Sequence, residues 1–157
     1  MIASMMFAAA APVAPISPIE CQVVQALFVQ ARAEGKGKHD GHVVVSDART
    51  IHTSPQGLAM WIPTLAVSLD VPKRAAEELT AKLRTERDLS WRGDCAWTAP
   101  PVGFANAFTR PIVSGDGRLA ITEWSSGLDA PRDVGEVCLA YRPNDSWRVS
   151  CIMSWER

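Results

Sequence analysis

Four cysteines, Cys21, Cys95, Cys138 and Cys151, follow an N-terminal stretch from Met1 to Pro18 that contains no charged residue. An even cysteine count in a short exported chain reads as two disulfides, and two cross-links constrain the fold more than any other feature here. The leader supports export. An apolar run from Met5 to Ala11 precedes small residues, as in the hydrophobic region and cleavage zone of a secretory signal, with Ala10, Ala11 or Ala14 as cleavage positions. The run is shorter than the roughly 18 residues a membrane span needs, and Pro12, Pro15 and Pro18 interrupt the chain just beyond it. No membrane span is expected. Residues 1–16 are assigned to a leader or tail and residues 17–157 to a single domain, in a periplasmic or secreted setting.

About 140 residues remain, enough for one hydrophobic core. The 47% apolar content argues against wholesale disorder. With 16 Lys plus Arg against 17 Asp plus Glu and no charged block, the chain lacks the basic surface that phosphate backbones require. Nucleic acid is therefore not an expected partner.

Ser17-Pro18-Ile19-Glu20 reads as a helix start: Ser17 caps, Pro18 suits the first position and Glu20 completes a capping box. Ile19, Val23, Leu27 and Ala31 recur every four residues, so a helix is predicted to Glu34 with one face on a core. Ser54-Pro55 caps a short helix through Trp61, which Pro63 ends. The second long helix is predicted over Asp70 to Asp88, with Val71, Ala75, Leu79 and Leu83 inward. Glu78 with Lys82, and Arg84 with Asp88, are its exposed ion pairs.

From Leu89 to Pro111 periodicity disappears although Trp91, Cys95, Trp97, Phe104 and Phe108 lie there, so this segment is expected to strap across the domain and be tied down by Cys95. A β-meander closes the chain, with strands at 118–124, 135–142 and 147–156. Alternation along the last strand predicts one buried and one wet face. The fold class is α+β: two main helices packed on an antiparallel sheet of about four strands.

The terminal hairpin admits two registers. A two-residue turn at Asn144-Asp145 sets Cys138 opposite Cys151, where a cross-strand disulfide forms. A three-residue loop instead aligns Tyr141, Leu139 and Val137 with Trp147, Val149 and Cys151 on one apolar face. Three buried side chains at roughly 1.5–3 kcal/mol each outweigh a short-loop disulfide at about 2–3 kcal/mol. This comparison favours the coherent face, with longer-range bridges to Cys21 and Cys95, and leaves the pairing undecided.

The stretch GDGRLAITEW…GEVCLAYRPNDSWRVSCIMSW is similar to the closing meander of small uncharacterised secreted bacterial proteins. It resembles, more distantly, the final hairpin of nuclear-transport-factor-like cone folds. The likeness covers residues 112–157 and implies an architecture without transferring any site, since no catalytic Asp/His pair of the cone-fold enzymes is assignable.

No cofactor motif is present. All three histidines, His39, His42 and His52, lie close together, and His39-Asp40-Gly41-His42 offers two imidazoles and a carboxylate as a weak metal site on a glycine-rich loop. A hydrolase needs a nucleophile near a base. Ser46 and Ser54 flank a segment with Asp47 and His52, but nothing marks their setting, and Glu77 and Glu78 point apart on a helix. Six tryptophans against one tyrosine offer aromatic faces for ligands; Trp61 and Trp124 are the candidate binding residues. The sequence therefore predicts an exported binding or interaction module for an unknown protein or small-molecule ligand. The alternative is a small extracytoplasmic enzyme, hydrolase-like, or a weak metal binder through His39 and His42.

Overall fold

The computed structural model describes residues 13–34, 53–91, 95, 106–126 and 134–156. Helix α1 spans Pro18–Ala33. Its start is the predicted capping box: the Ser17 N–H donates to Glu20 Oε2 at 2.6 Å and the Glu20 N–H to Ser17 Oγ at 3.4 Å. Val23, Val24, Leu27, Phe28 and Ala31 form its buried stripe.

Helix α2 spans Pro55–Ala59 and α3 Ile62–Ser68. Ser54 caps α2 by accepting from the Gly57 N–H at 3.0 Å. Pro63 was expected to end a helix; it instead sits in the first turn of α3, where its missing N–H would have had no helical partner. Helix α4 spans Lys73–Thr85 and starts later than the predicted Asp70. Leu79 and Leu83 are fully buried, and Val71 and Ala75 pack beside them. Its surface ion pairs are Lys73–Glu77 and Arg74–Glu78. Lys82 donates to the Val113 carbonyl, and Asp88 accepts from Ser90. The four-residue spacing was right and the partners were not.

Among the described residues five strands follow: β1 Asn106–Phe108, β2 Ile112–Val113, β3 Leu119–Ser126, β4 Val134–Tyr141 and β5 Arg148–Glu156. All pairings are antiparallel, in the order β1-β3-β4-β5, with β2 also on β3. One short strand, β1, thus lies where the sequence showed only an irregular strap, and β2 lies just beyond it. The β2–β3 turn requires glycine at Gly117, whose φ is +71°. Asp116 secures this turn, accepting from Ser114 Oγ at 2.6 Å and from the Arg118 N–H at 3.0 Å. The Ser114 hydroxyl, more than the turn's other donors, holds the Asp116 carboxyl below its ordinary value against a smaller upward push from burial.

The favoured hairpin register is overturned. Cys138 stands directly opposite Cys151 with Cα atoms 4.1 Å apart and bonded sulfurs, and Tyr141 faces Arg148. The coherent-face argument fails because both faces of the sheet are covered. Ala120, Trp124, Cys138, Ala140, Val149 and Cys151 pack with α1, whereas Leu119, Ile121, Val137, Leu139, Tyr141 and Ile152 pack with α2, α3 and α4. Apolar residues on either side of β4 therefore find a partner, and nothing drives them onto one face. For the same reason the expected wet face of β5 is half-buried at Ser150 and Ile152, and Ser68 Oγ donates to Ser150 Oγ at 2.7 Å.

The second disulfide joins Cys21 in α1 to Cys95: Cys95 is tied down as expected, but to Cys21, whereas the favoured register had assigned both to bridges with Cys138 and Cys151. Trp91 itself is buried, stacks on Phe108 at 4.7 Å and donates its indole N–H to the Phe108 carbonyl at 3.0 Å. Among the described residues no helix is long and apolar enough to cross a membrane.

Candidate functional site

Among the described residues β5 pairs with β4 alone, and a groove of about 690 Å³ opens between the flank of α1 and the start of that strand. Ligand sites of this volume are ordinary. Trp147 and Val149 make its floor, Ala26 and Val29 its helical wall, and Gln22, Gln25 and Gln30 bring amides to the rim. Cys21 also lines it, so the Cys21–Cys95 disulfide fixes the helix that forms one wall.

Charge enters from the β4–β5 turn. The Arg142 guanidinium lies 5.0 Å over the Trp147 ring, a cation–π contact, and donates to Gln22 Oε1 at 3.4 Å and to the Gly117 carbonyl at 3.3 Å. Neutral oxygens and an aromatic face are its partners; among the described residues no carboxylate pairs with it. Asp145 is on the same rim and exposed. Trp147 Nε1 is buried with no acceptor among the described residues, a cost that folded proteins seldom leave standing.

A second groove, about 700 Å³, runs along the outer side of α3 and α4, where Val67 is 79% exposed. Its rim carries Asp70, Lys73, Glu77 and Arg84, and Lys73 is already paired with Glu77. A smaller polar cleft of about 440 Å³ holds Glu20, Lys82, Glu86 and Arg110. Its arginine is bound to Glu86 at 2.8 Å.

Of the aromatic candidates, Trp124 is only 6% exposed and belongs to the core under α1, and Trp61 is half-buried against the α2–α4 cluster. Neither lines either of the two large grooves. His39, Asp40 and His42 lie outside the described residues, as do Ser46, Asp47 and His52. Among the described residues no three His, Cys, Asp or Glu side chains gather as a metal set. Trp147 and Arg142 were missed as site residues because alternation alone assigns Trp147 to a buried face. The signal that marks them is position: the residue just before an edge strand and a cation across a tight turn.

Fold and site together define a class: a doubly cross-linked α+β protein with helices on both faces of an antiparallel sheet and an amphipathic groove at its edge. Comparison with known families, characterised proteins and solved structures finds no match, so chemistry at the groove carries the functional reading.

Proposed function

We propose that this protein is an extracytoplasmic binding module whose ligand occupies the groove between α1 and the start of β5. The single observation behind this reading is the Arg142 guanidinium, which no described carboxylate neutralises, held against Trp147 at the mouth of a groove with an apolar floor. A cation and an aromatic plane fixed side by side select ligands that combine an acceptor with an apolar body. Two disulfides support the oxidising setting, and the uncharged leader with its small-residue zone supports export as a signal-bearing precursor. The export half fails if protein recovered from its native compartment carries four free thiols.

An anionic apolar fluorophore, 1-anilinonaphthalene-8-sulfonate, tests the groove. Val29 is 62% exposed on its wall and Val67 is 79% exposed on the other groove, so glutamate at either position leaves the core intact. Val29→Glu is expected to lower dye affinity about tenfold by blocking apolar contact and repelling the sulfonate, with Val67→Glu near neutral. Equal affinity in the two variants removes the groove from consideration.

A further inference from the structure

The occupant can be specified from the strand that borders the groove. Among the described residues β5 has a single neighbour, β4, which leaves the other side of a nine-residue strand as a row of backbone donors and acceptors. Exposed edges of this length are normally blunted by proline, lysine, an inward charge or a bulge. The sequence RVSCIMSWE contains neither proline nor lysine. Its one such device lies at the far end, where Glu136 pairs with Met153 but Gly135 with Trp155, making Ser154 the extra residue. Ser154 Oγ bonds the Gly135 carbonyl at 3.1 Å and fixes that irregularity. From Arg148 to Met153 the register is regular, and this is the end that adjoins the groove, where Val149 lies two residues after Trp147.

A helix flank beside a regular, unpaired edge is the arrangement by which a sheet takes up one more strand. The backbone supplies affinity, and alternate side chains drop into the groove. Only a polypeptide in extended form matches a row of amide donors and carbonyl acceptors at this spacing. Arg142 adds charge: no described carboxylate neutralises it, so an acidic group on the incoming segment is its complement.

We propose that the groove receives an extended peptide that pairs with β5 along Arg148 to Met153, sets apolar side chains on Trp147 and Val149, and places a carboxylate at Arg142. This rests on the groove being the ligand site. Asp145 on the rim opposes the same carboxylate, so Asp145→Asn strengthens binding.

The test uses the disulfide-intact protein, labelled with ¹⁵N, and a panel of peptides of about eight residues in which apolar and polar residues alternate. Each is made with a free C-terminal carboxylate, as the C-terminal amide, and with N-methyl groups on either alternate set of backbone nitrogens. A binding peptide is expected to slow hydrogen exchange of β5 amides about tenfold or more, and to lose binding when one alternate set is methylated but not the other. Arg142→Gln lowers affinity for the carboxylate form about tenfold and leaves the amide form within about twofold. Val29→Glu, a surface change that cannot unfold the core, weakens both forms. The proposal is overturned if peptides bind without protecting β5, if both methylated sets bind as well as the unmethylated peptide, or if no peptide binds. In the last case, dye binding that is lost in Val29→Glu keeps the groove as a site and removes the peptide alone, whereas absence of both removes the site itself.

Discussion

Asp70 holds a backbone conformation, φ +54°, that side-chain-bearing residues seldom adopt. The hydrogen bonds explain why the position exists: the Val71 N–H reaches back to the Ala66 carbonyl at 3.0 Å and the Asp70 N–H to the Val67 carbonyl at 3.3 Å, closing α3 in a Schellman motif. Glycine is the usual residue there, and aspartate tolerates it better than most. Asp70→Gly is therefore expected to raise unfolding free energy in urea by about 0.5–1 kcal/mol, and Asp70→Ala to lower it. Equal stability of the two variants would show that the turn bears no strain. The sequence placed Asp70 at the start of α4, because Val71 falls on the same stripe as Ala75, Leu79 and Leu83. Pro72 decides otherwise, since it forces Val71 toward extended geometry and delays the helix to Lys73. At the other extreme Ser17 and Glu20 were legible, because a capping box needs only local chain to form.

Strands were readable as segments but not as pairs. The three meander strands lie within about two residues of their predicted limits, since turns and alternation are local signals. Register is not local: it depends on what covers each face, and the run Val137-Cys138-Leu139-Ala140, buried throughout, was the hint that both faces are covered. The two disulfides now have distinct roles. Cys138–Cys151 closes a separation of 13 residues already bridged by a hairpin, whereas Cys21–Cys95 closes 74 and anchors α1. Chain-entropy arguments put their contributions at about 3 and about 4.5 kcal/mol respectively. Replacing Cys138 and Cys151 together by alanine should thus cost less in a urea titration than replacing Cys21 and Cys95 together. The reverse order would mean that the hairpin disulfide, not the helix anchor, dominates stability. The same element-scale reasoning explains why Trp147 escaped notice: its role as groove floor comes from β5 pairing, among the described residues, with β4 alone, which no property of its own sequence states.

A sheet covered on both faces ties the helices into one unit, because neighbouring residues of the same strand serve opposite layers. Val137 and Leu139 pack toward α2, α3 and α4, while Cys138 and Ala140 pack toward α1. Losing either helical layer would expose half of every central strand, at roughly 25 cal/mol for each Å² of apolar surface returned to water. Neither layer is expected to unfold alone. Leu27 in α1 and Leu79 in α4 sit in the separate clusters, 5% and 0% exposed, and truncating either to alanine should cost about 2–4 kcal/mol. The tryptophans make the coupling measurable. Trp91, Trp124 and Trp147 all belong to the α1 side, and with Trp61, Trp97 and Trp155 replaced by phenylalanine the remaining tryptophan fluorescence reports on that layer. If the layers are coupled, Leu79→Ala moves the fluorescence midpoint and the far-ultraviolet circular dichroism midpoint together, although the mutated side chain is on the opposite face. A Leu79→Ala variant whose fluorescence transition stays in place while its helical signal melts early would establish two independent layers. The sheet would then be a platform on which each helical layer is separately mounted.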